Sequence, residues 1–92
     1  MNNHSRGLAL EGEYDLVDRE ALATLFGALR ADGPATIDLT KVTYLDGTML
    51  TELLKLQARF KEHSIKLLVR SAIIRRVFRI VRFEQLFEIV DA

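Results

Sequence analysis

The sequence has no cysteine, a single proline and two histidines. Without cysteine the chain forms no disulfide, offers no thiolate nucleophile and builds no cysteine-ligated zinc site; a reducing compartment suits it. No apolar run approaches the roughly 20 residues that a membrane span needs, and the opening "MNNHSRG" has no hydrophobic signal core. These absences point to a cytoplasmic chain. The histidines add no chemistry. His4 falls in a frayed terminus and His63 in the loop "EHS", and neither has a partner at metal-ligand or triad spacing. Glycine-rich phosphate loops are missing too, since "EGEYD" and "ADGP" lack the pattern. No cofactor is implied, and an enzyme is the least favoured class.

What is present is ordinary in bulk and uneven in layout. Apolar residues make up 49% and charged residues 28% of 92 positions, the balance of one soluble globular domain over residues 1–92, with 1–6 as a disordered or short edge segment. The net charge is zero, yet eight acids face four bases up to Asp46, and nine bases face five acids from Gly47 onward. The densest basic run is Arg70, Arg75, Arg76, Arg79 and Arg82. Aromatic interleaving there is slight and no nucleic-acid motif accompanies it, so it reads as a solvated helix face.

Periodicity divides the chain. "GLALEGEYD" is a short half-buried strand running into a turn, and Asp15 or Asp18 caps the helix that follows. Val17, Ala21, Leu22, Leu25, Phe26 and Leu29 recur at helical spacing until "ADGP" stops them. "ATIDLTKVTYLD" alternates as a strand. A helix over 47–62 follows, with Leu50, Leu53, Leu54, Gln57 and Ala58 expected on its core side. Met49, Leu53, Leu56 and Phe60 form a second stripe beside it, either a wide core face or a partner surface. "IKLLVR" is a third strand, 71–82 a third helix expected to bury Ile73, Ile74, Val77, Phe78 and Val81, and "LFEIV" a last short strand. The order β-α-β-α-β-α-β implies parallel strands with right-handed crossovers. Strands covered on both faces read as continuous apolar runs, whereas these alternate. Helices therefore cover one face and the polar face stays open, where Asp38 and Lys66 are expected to pair across strands.

Within "LDGTML" the helix starts at Asp46 or Gly47, leaving first-turn amides free. A hydroxyl here would be accessible to a kinase, and a phosphate on it would be held by the helix dipole. It would also add about two negative charges that repel a close-packed partner.

Three segments, in order and at matching spacing, resemble the STAS domain family: bacterial anti-sigma factor antagonists and their relatives. "LALEGEYDL" is similar to the family's strand and "GELD" turn, "ATIDLTKVTYLDGTMLTELLKL" to its "DLS.V..IDSSGLGVLL" stretch, and "VRSAIIRRVFRIVRFEQLFEI" to its third helix and last strand. The resemblance implies a β/α superhelix: a small, mostly parallel sheet of about four strands with helices on one face. It also implies an N-terminal edge strand and a C-terminal helix. Both look truncated here, which leaves strand edges open for a homodimer.

In the family's regulatory members a serine or threonine directly after the aspartate is phosphorylated by a kinase-fold anti-sigma factor, and the unphosphorylated form binds that kinase. Matched by position, the aspartate is Asp46 and the phosphoacceptor position is Gly47, which cannot be phosphorylated; Thr48 is the possible substitute. Met49 and Thr51 stand where the motif has glycines, and Tyr14 and Asp15 match the end of the "GELD" turn. The resemblance thus implies a non-enzymatic regulator whose partner-binding residues are Tyr14, Asp15, Asp46, Gly47, Thr48, Met49, Thr51 and Glu52, with Met49 exposed enough that Met49→Glu spares the fold. The expected partner is an anti-sigma factor with an ATP-binding kinase fold. The alternative is an accessory subunit docking on the ATPase of an ABC-type lipid transporter. Neither reading calls for nucleic acid, a metal or membrane insertion.

Overall fold

A computed structural model describes residues 7–92 of the chain. The expectations for the segment 1–6 and for His4 lie outside the described residues. The elements follow the order read from periodicity: β1 (Gly7–Tyr14), α1 (Arg19–Gly27), β2 (Ala35–Leu45), α2 (Gly47–Phe60), β3 (Ile65–Val69), α3 (Ala72–Ile80) and β4 (Glu88–Asp91). Single 3-10 turns, Leu16–Asp18 and Phe83–Gln85, lead into α1 and β4. The four strands are all parallel and lie in the order β1-β2-β3-β4. Each crossover therefore joins nearest neighbours, and right-handedness puts the three α-helices on one side.

That side holds the core. Ile37, Leu39, Ile65, Leu67 and Val69 from the sheet meet Leu22, Met49, Leu53, Phe60 and Phe78 from the helices, all inaccessible to solvent. Burying each such side chain contributes about 1.5–3 kcal/mol. Phe78, Phe83 and Phe87 form an aromatic row, with ring centroids 5.4 Å and then 5.0 Å apart, that ties α3 to the approach of β4. The other face of the sheet is only half covered: Thr36, Asp38, Lys66, Leu68 and Val90 all keep partial solvent contact.

Three packing expectations change. On α2 the buried stripe is Met49, Leu53, Leu56 and Phe60; Leu54 and Ala58 are exposed, and Leu50 and Gln57 half-buried. The two candidate stripes share Leu53. The winning stripe runs the full helix at steps of four, three and four and carries the larger side chains. On α3 the core takes Ile74 and Phe78, while Ile73 and Val81 stay exposed. On the approach to α1, Val17 is 90% exposed because it lies in the 3-10 turn, out of phase with the helix. The α1 helix also ends at Gly27, before "ADGP". A carbonyl of its last turn and one just past its end are bound by another element: the Arg59 guanidinium on α2 donates to Phe26 O at 2.6 Å and to Leu29 O at 2.9 Å.

The turn expected at "EGEYD" is absorbed into β1. β2 instead carries two extra residues opposite it, one between the pairs Ala9↔Asp38 and Glu11↔Lys41 and one between Gly12↔Val42 and Glu13↔Tyr44. Gly12, at φ +93, supplies the backbone freedom the second irregularity requires. Asp38 does not pair with Lys66 as expected, because Lys66 lies opposite Thr36 and Glu88. Its carboxylate accepts instead from the Thr40 hydroxyl at 2.7 Å and the Thr40 amide at 2.9 Å, bracing the first bulge.

The Thr40 hydroxyl bond, then the Thr40 amide bond, hold the Asp38 carboxyl below its ordinary range despite some desolvation. A carboxyl lowered in the folded state contributes stability above its unfolded value, and that contribution is lost as pH falls through the folded value. Thr40→Val is therefore expected to destabilise the protein at neutral pH. The difference from the parent should vanish in strong acid, as read by urea titrations at both pH values. Arg82 follows α3 in the left-handed region, at φ 62 and ψ 36. Arg82→Gly relieves that conformation and is expected to raise the unfolding free energy by about 0.5–1 kcal/mol in the neutral-pH titration.

Candidate functional site

The register of β1 against β2 pairs Tyr14 with Leu45. The chain therefore leaves both strands side by side, and the two segments singled out in the sequence, 14–15 and 46–52, meet at the C-terminal edge of the sheet. Asp46 caps α2 as expected, accepting from the Thr48 amide at 2.8 Å. Asp15 caps the 3-10 turn. It accepts from the Val17 amide at 3.0 Å, while its own amide donates to Asp18 Oδ2 at 3.0 Å, a reciprocal box. Both aspartates are thus engaged in shaping backbone, each worth about 1 kcal/mol.

Of the remaining candidates, Gly47 and Thr51 are exposed, and Thr48 is half-buried along the α1 side of the helix. Nothing lies within 4 Å of the position a Cβ would take on Gly47, so a side chain fits there without adjustment. Tyr14 is half-buried against the core and its hydroxyl turns back to accept from the Glu11 amide at 3.2 Å.

Two candidates are not presented to a partner. Met49 has no exposed surface and belongs to the core stripe of α2, so Met49→Glu cannot spare the fold as the sequence reading expected. Glu52 is 4% exposed, because its position on the helix points toward α1. Its carboxylate is met by Lys55 Nζ at 3.3 Å, an i,i+3 pair on the same helix.

Between α1 and α2 runs an open groove of about 350 Å³, with Leu16 and Arg19 on one bank and Gly47, Thr48, Thr51, Glu52 and Lys55 on the other. The sequence reading missed Leu16, Val17, Arg19 and Lys55. Leu16 is 67% exposed beside Val17, so two consecutive apolar side chains stand in solvent at the rim. The signal for them was present: Asp15 and Asp18, three apart, make a box that isolates Leu16 and Val17 from the helix phase. Chemically the groove offers hydroxyls, cations and apolar contact. Among the described residues no cluster of His, Cys, Asp or Glu could hold a metal ion, and no helix is long and apolar enough to cross a membrane. His63 sits beyond the opposite end of α2, about 20 Å along the helix from Gly47.

The family model described as "Mlab, STAS domain" matches residues 1–91. The chain belongs to the STAS domain family. No curated protein matches it in sequence. Among solved structures, this STAS domain is similar to an anti-sigma factor antagonist from Mycobacterium paratuberculosis, at 26% identity and a TM-score of 0.83. The match covers 97% of this chain and 80% of that one. It also shares the fold of the anti-sigma factor antagonist SpoIIAA in its unphosphorylated form. That match has 19% identity and a TM-score of 0.70, covering 100% of this chain and 84% of that one.

The split between surface and core positions on α2 is directly measurable. Met49→Ala is expected to cost the STAS domain about 2–5 kcal/mol through the cavity it leaves, while Thr51→Ala should stay within about 0.5 kcal/mol. Parallel chemical denaturation of the two variants checks this.

Proposed function

We propose that this STAS domain is a non-enzymatic regulator of the anti-sigma factor antagonist type, fixed in the binding-competent state. It docks on an anti-sigma factor with an ATP-binding kinase fold, in the cytoplasm. The docking surface is the C-terminal edge of the sheet: the knob Asp15, Leu16 and Val17, the helix start Asp46, Gly47 and Thr48, and Thr51 one turn on. The observation that carries this reading is the exposed Gly47 at the first turn of α2, flanked by solvent-exposed Leu16 and Val17. An apolar pair standing in water beside a capped helix start is a surface with a use for a partner. The likeness to anti-sigma factor antagonists supports the class of that partner.

With glycine at the acceptor position there is no hydroxyl to modify, and the half-buried Thr48 turns toward the groove rather than outward. Incubation with the cognate kinase and ATP is therefore expected to leave the loop 46–51 free of phosphate by mass spectrometry. Gly47→Ser, for which the structure has room, is expected to accept one phosphate and to lose partner binding when it does. Stoichiometric phosphothreonine at Thr48 in the parent protein would overturn the fixed-state reading. Thr51→Arg is expected to weaken capture of the partner by about tenfold or more with the melting temperature unchanged.

The match to the Mlab-type family model favours a second reading, an accessory subunit on the ATPase of an ABC-type lipid transporter. Co-purification separates the two, returning a soluble kinase-fold protein or a membrane-associated ATPase. A homodimer through the outer edges of β1 and β4 belongs to the same set of proposals. The four-residue β4 and the irregular β1–β2 register work against it.

A further inference from the structure

The helix layer is not evenly closed. α1 and α2 are packed together and joined by Arg59, whereas α2 and α3 have little direct contact. Helix phase shows what lines the gap. On α3, Arg75 faces β4, its Nε 2.7 Å from Asp91 Oδ1, and Arg79 shares that flank. Ile74 and Phe78 point into the core. Ile73, Val77 and Ile80 therefore occupy the flank toward α2. On α2, Glu52 and Arg59 face α1, which leaves Leu50 and Leu54, with the half-buried Gln57, on the flank toward α3. The result is a shallow apolar trough. Ile73 is 77% exposed, Ile80 70% and Leu54 42%, with Leu50 and Val77 half-buried at its floor.

One rim of the trough carries a cation: Arg76, between Ile73 and Ile80 on the helix surface, while Arg75 and Arg79 lie on the far flank of α3. α3 contains three arginines and no acid; Arg76 stands on its crest, and Arg82 follows its C-terminus. The molecule carries a feature of the opposite character elsewhere. The knob at Leu16 and Val17, 67% and 90% exposed, is bracketed by Asp15, Asp18 and Glu20. Arg19, the single cation of that segment, turns into the α1–α2 groove and does not neutralise the knob's outer surface. One face thus presents isoleucines beside Arg76, and another presents a leucine and a valine among carboxylates.

We infer that the occupant of the α2–α3 trough is a second copy of this chain, whose Leu16–Val17 knob enters it with its acidic bracket of Asp15, Asp18 and Glu20 toward Arg76. The knob also belongs to the proposed partner surface, so self-association withdraws that surface from a partner. The inference stands independently of what the partner is. Opposite charge steers the encounter and sets orientation, and desolvation of five exposed aliphatic side chains supplies the attraction. Such a contact is weak and sensitive to salt, because its rim charges are screened.

Sedimentation of the purified protein tests this. The weight-average mass is expected to rise with concentration at low ionic strength, and the association constant to fall by about tenfold or more at high salt. Val17→Arg and Ile73→Glu alter largely exposed side chains, so both are expected to keep the parent's circular dichroism and melting temperature while sedimenting as monomers. An equimolar mixture of the two variants is expected to recover a one-to-one dimer. The intact knob of the Ile73→Glu copy meets the intact trough of the Val17→Arg copy, and the altered knob and trough are themselves of opposite charge. A parent protein that stays monomeric at high concentration and low salt overturns the inference. So does self-association that survives both variants, as pairing of strand edges would. Binding of Ile73 and Ile80 to anionic phospholipid vesicles without any self-association overturns it as well.

Discussion

Right-handed crossovers between neighbouring parallel strands place every helix on the same side of the sheet and every helix start at the same end of it. The rest of this molecule depends on that constraint. It makes one face of the sheet a core and leaves the other half-wet, so the strands alternate instead of running apolar throughout. It also brings the exit of β1 beside the exit of β2. The cap at Asp15 and the cap at Asp46 are distant in sequence and adjacent in space for this reason alone. A surface made of two chain exits is fixed by the sheet beneath it.

Much of this was legible in the sequence because it rests on local patterns. The alternation of Ile37 and Leu39 with Asp38 and Thr40 told of a one-sided sheet, and "LDGT" told of a cap. What was not legible depends on packing between elements. The α2 helix offered two apolar stripes sharing Leu53, and only the shape of the core beneath selects the one through Met49, Leu56 and Phe60. Arg59 ends α1 from another helix, 33 residues from Phe26 in the chain. The bulges of β2 accompany a length difference between paired strands, eight residues against eleven, and the register that sets Lys66 opposite Thr36 rather than Asp38 is a separate matter of β2 against β3. No local motif announces that.

The candidate site was half legible, and the error is instructive. Matching positions to a family motif singled out a loop that lies at the C-terminal edge of the sheet, and said nothing of exposure. Met49 and Glu52 match by position yet point inward, while Leu16 and Val17 match no motif residue and stand in solvent. The capping box at Asp15 and Asp18 was readable as a motif, and it is the physical reason those two side chains fall out of helical phase.

The clamp of Arg59 on the end of α1 has a mechanical consequence. Two charge-assisted bonds, one to the Phe26 carbonyl in the last turn of α1 and one to the Leu29 carbonyl just past it, with the guanidinium lying 5.5 Å over the Phe60 ring, weld the end of α1 to α2. No comparable weld joins α2 to α3. The clamp thus fixes α1 against α2 at the end of the helix layer opposite the two chain exits, and the groove between Arg19 and Thr51 is held from its far end.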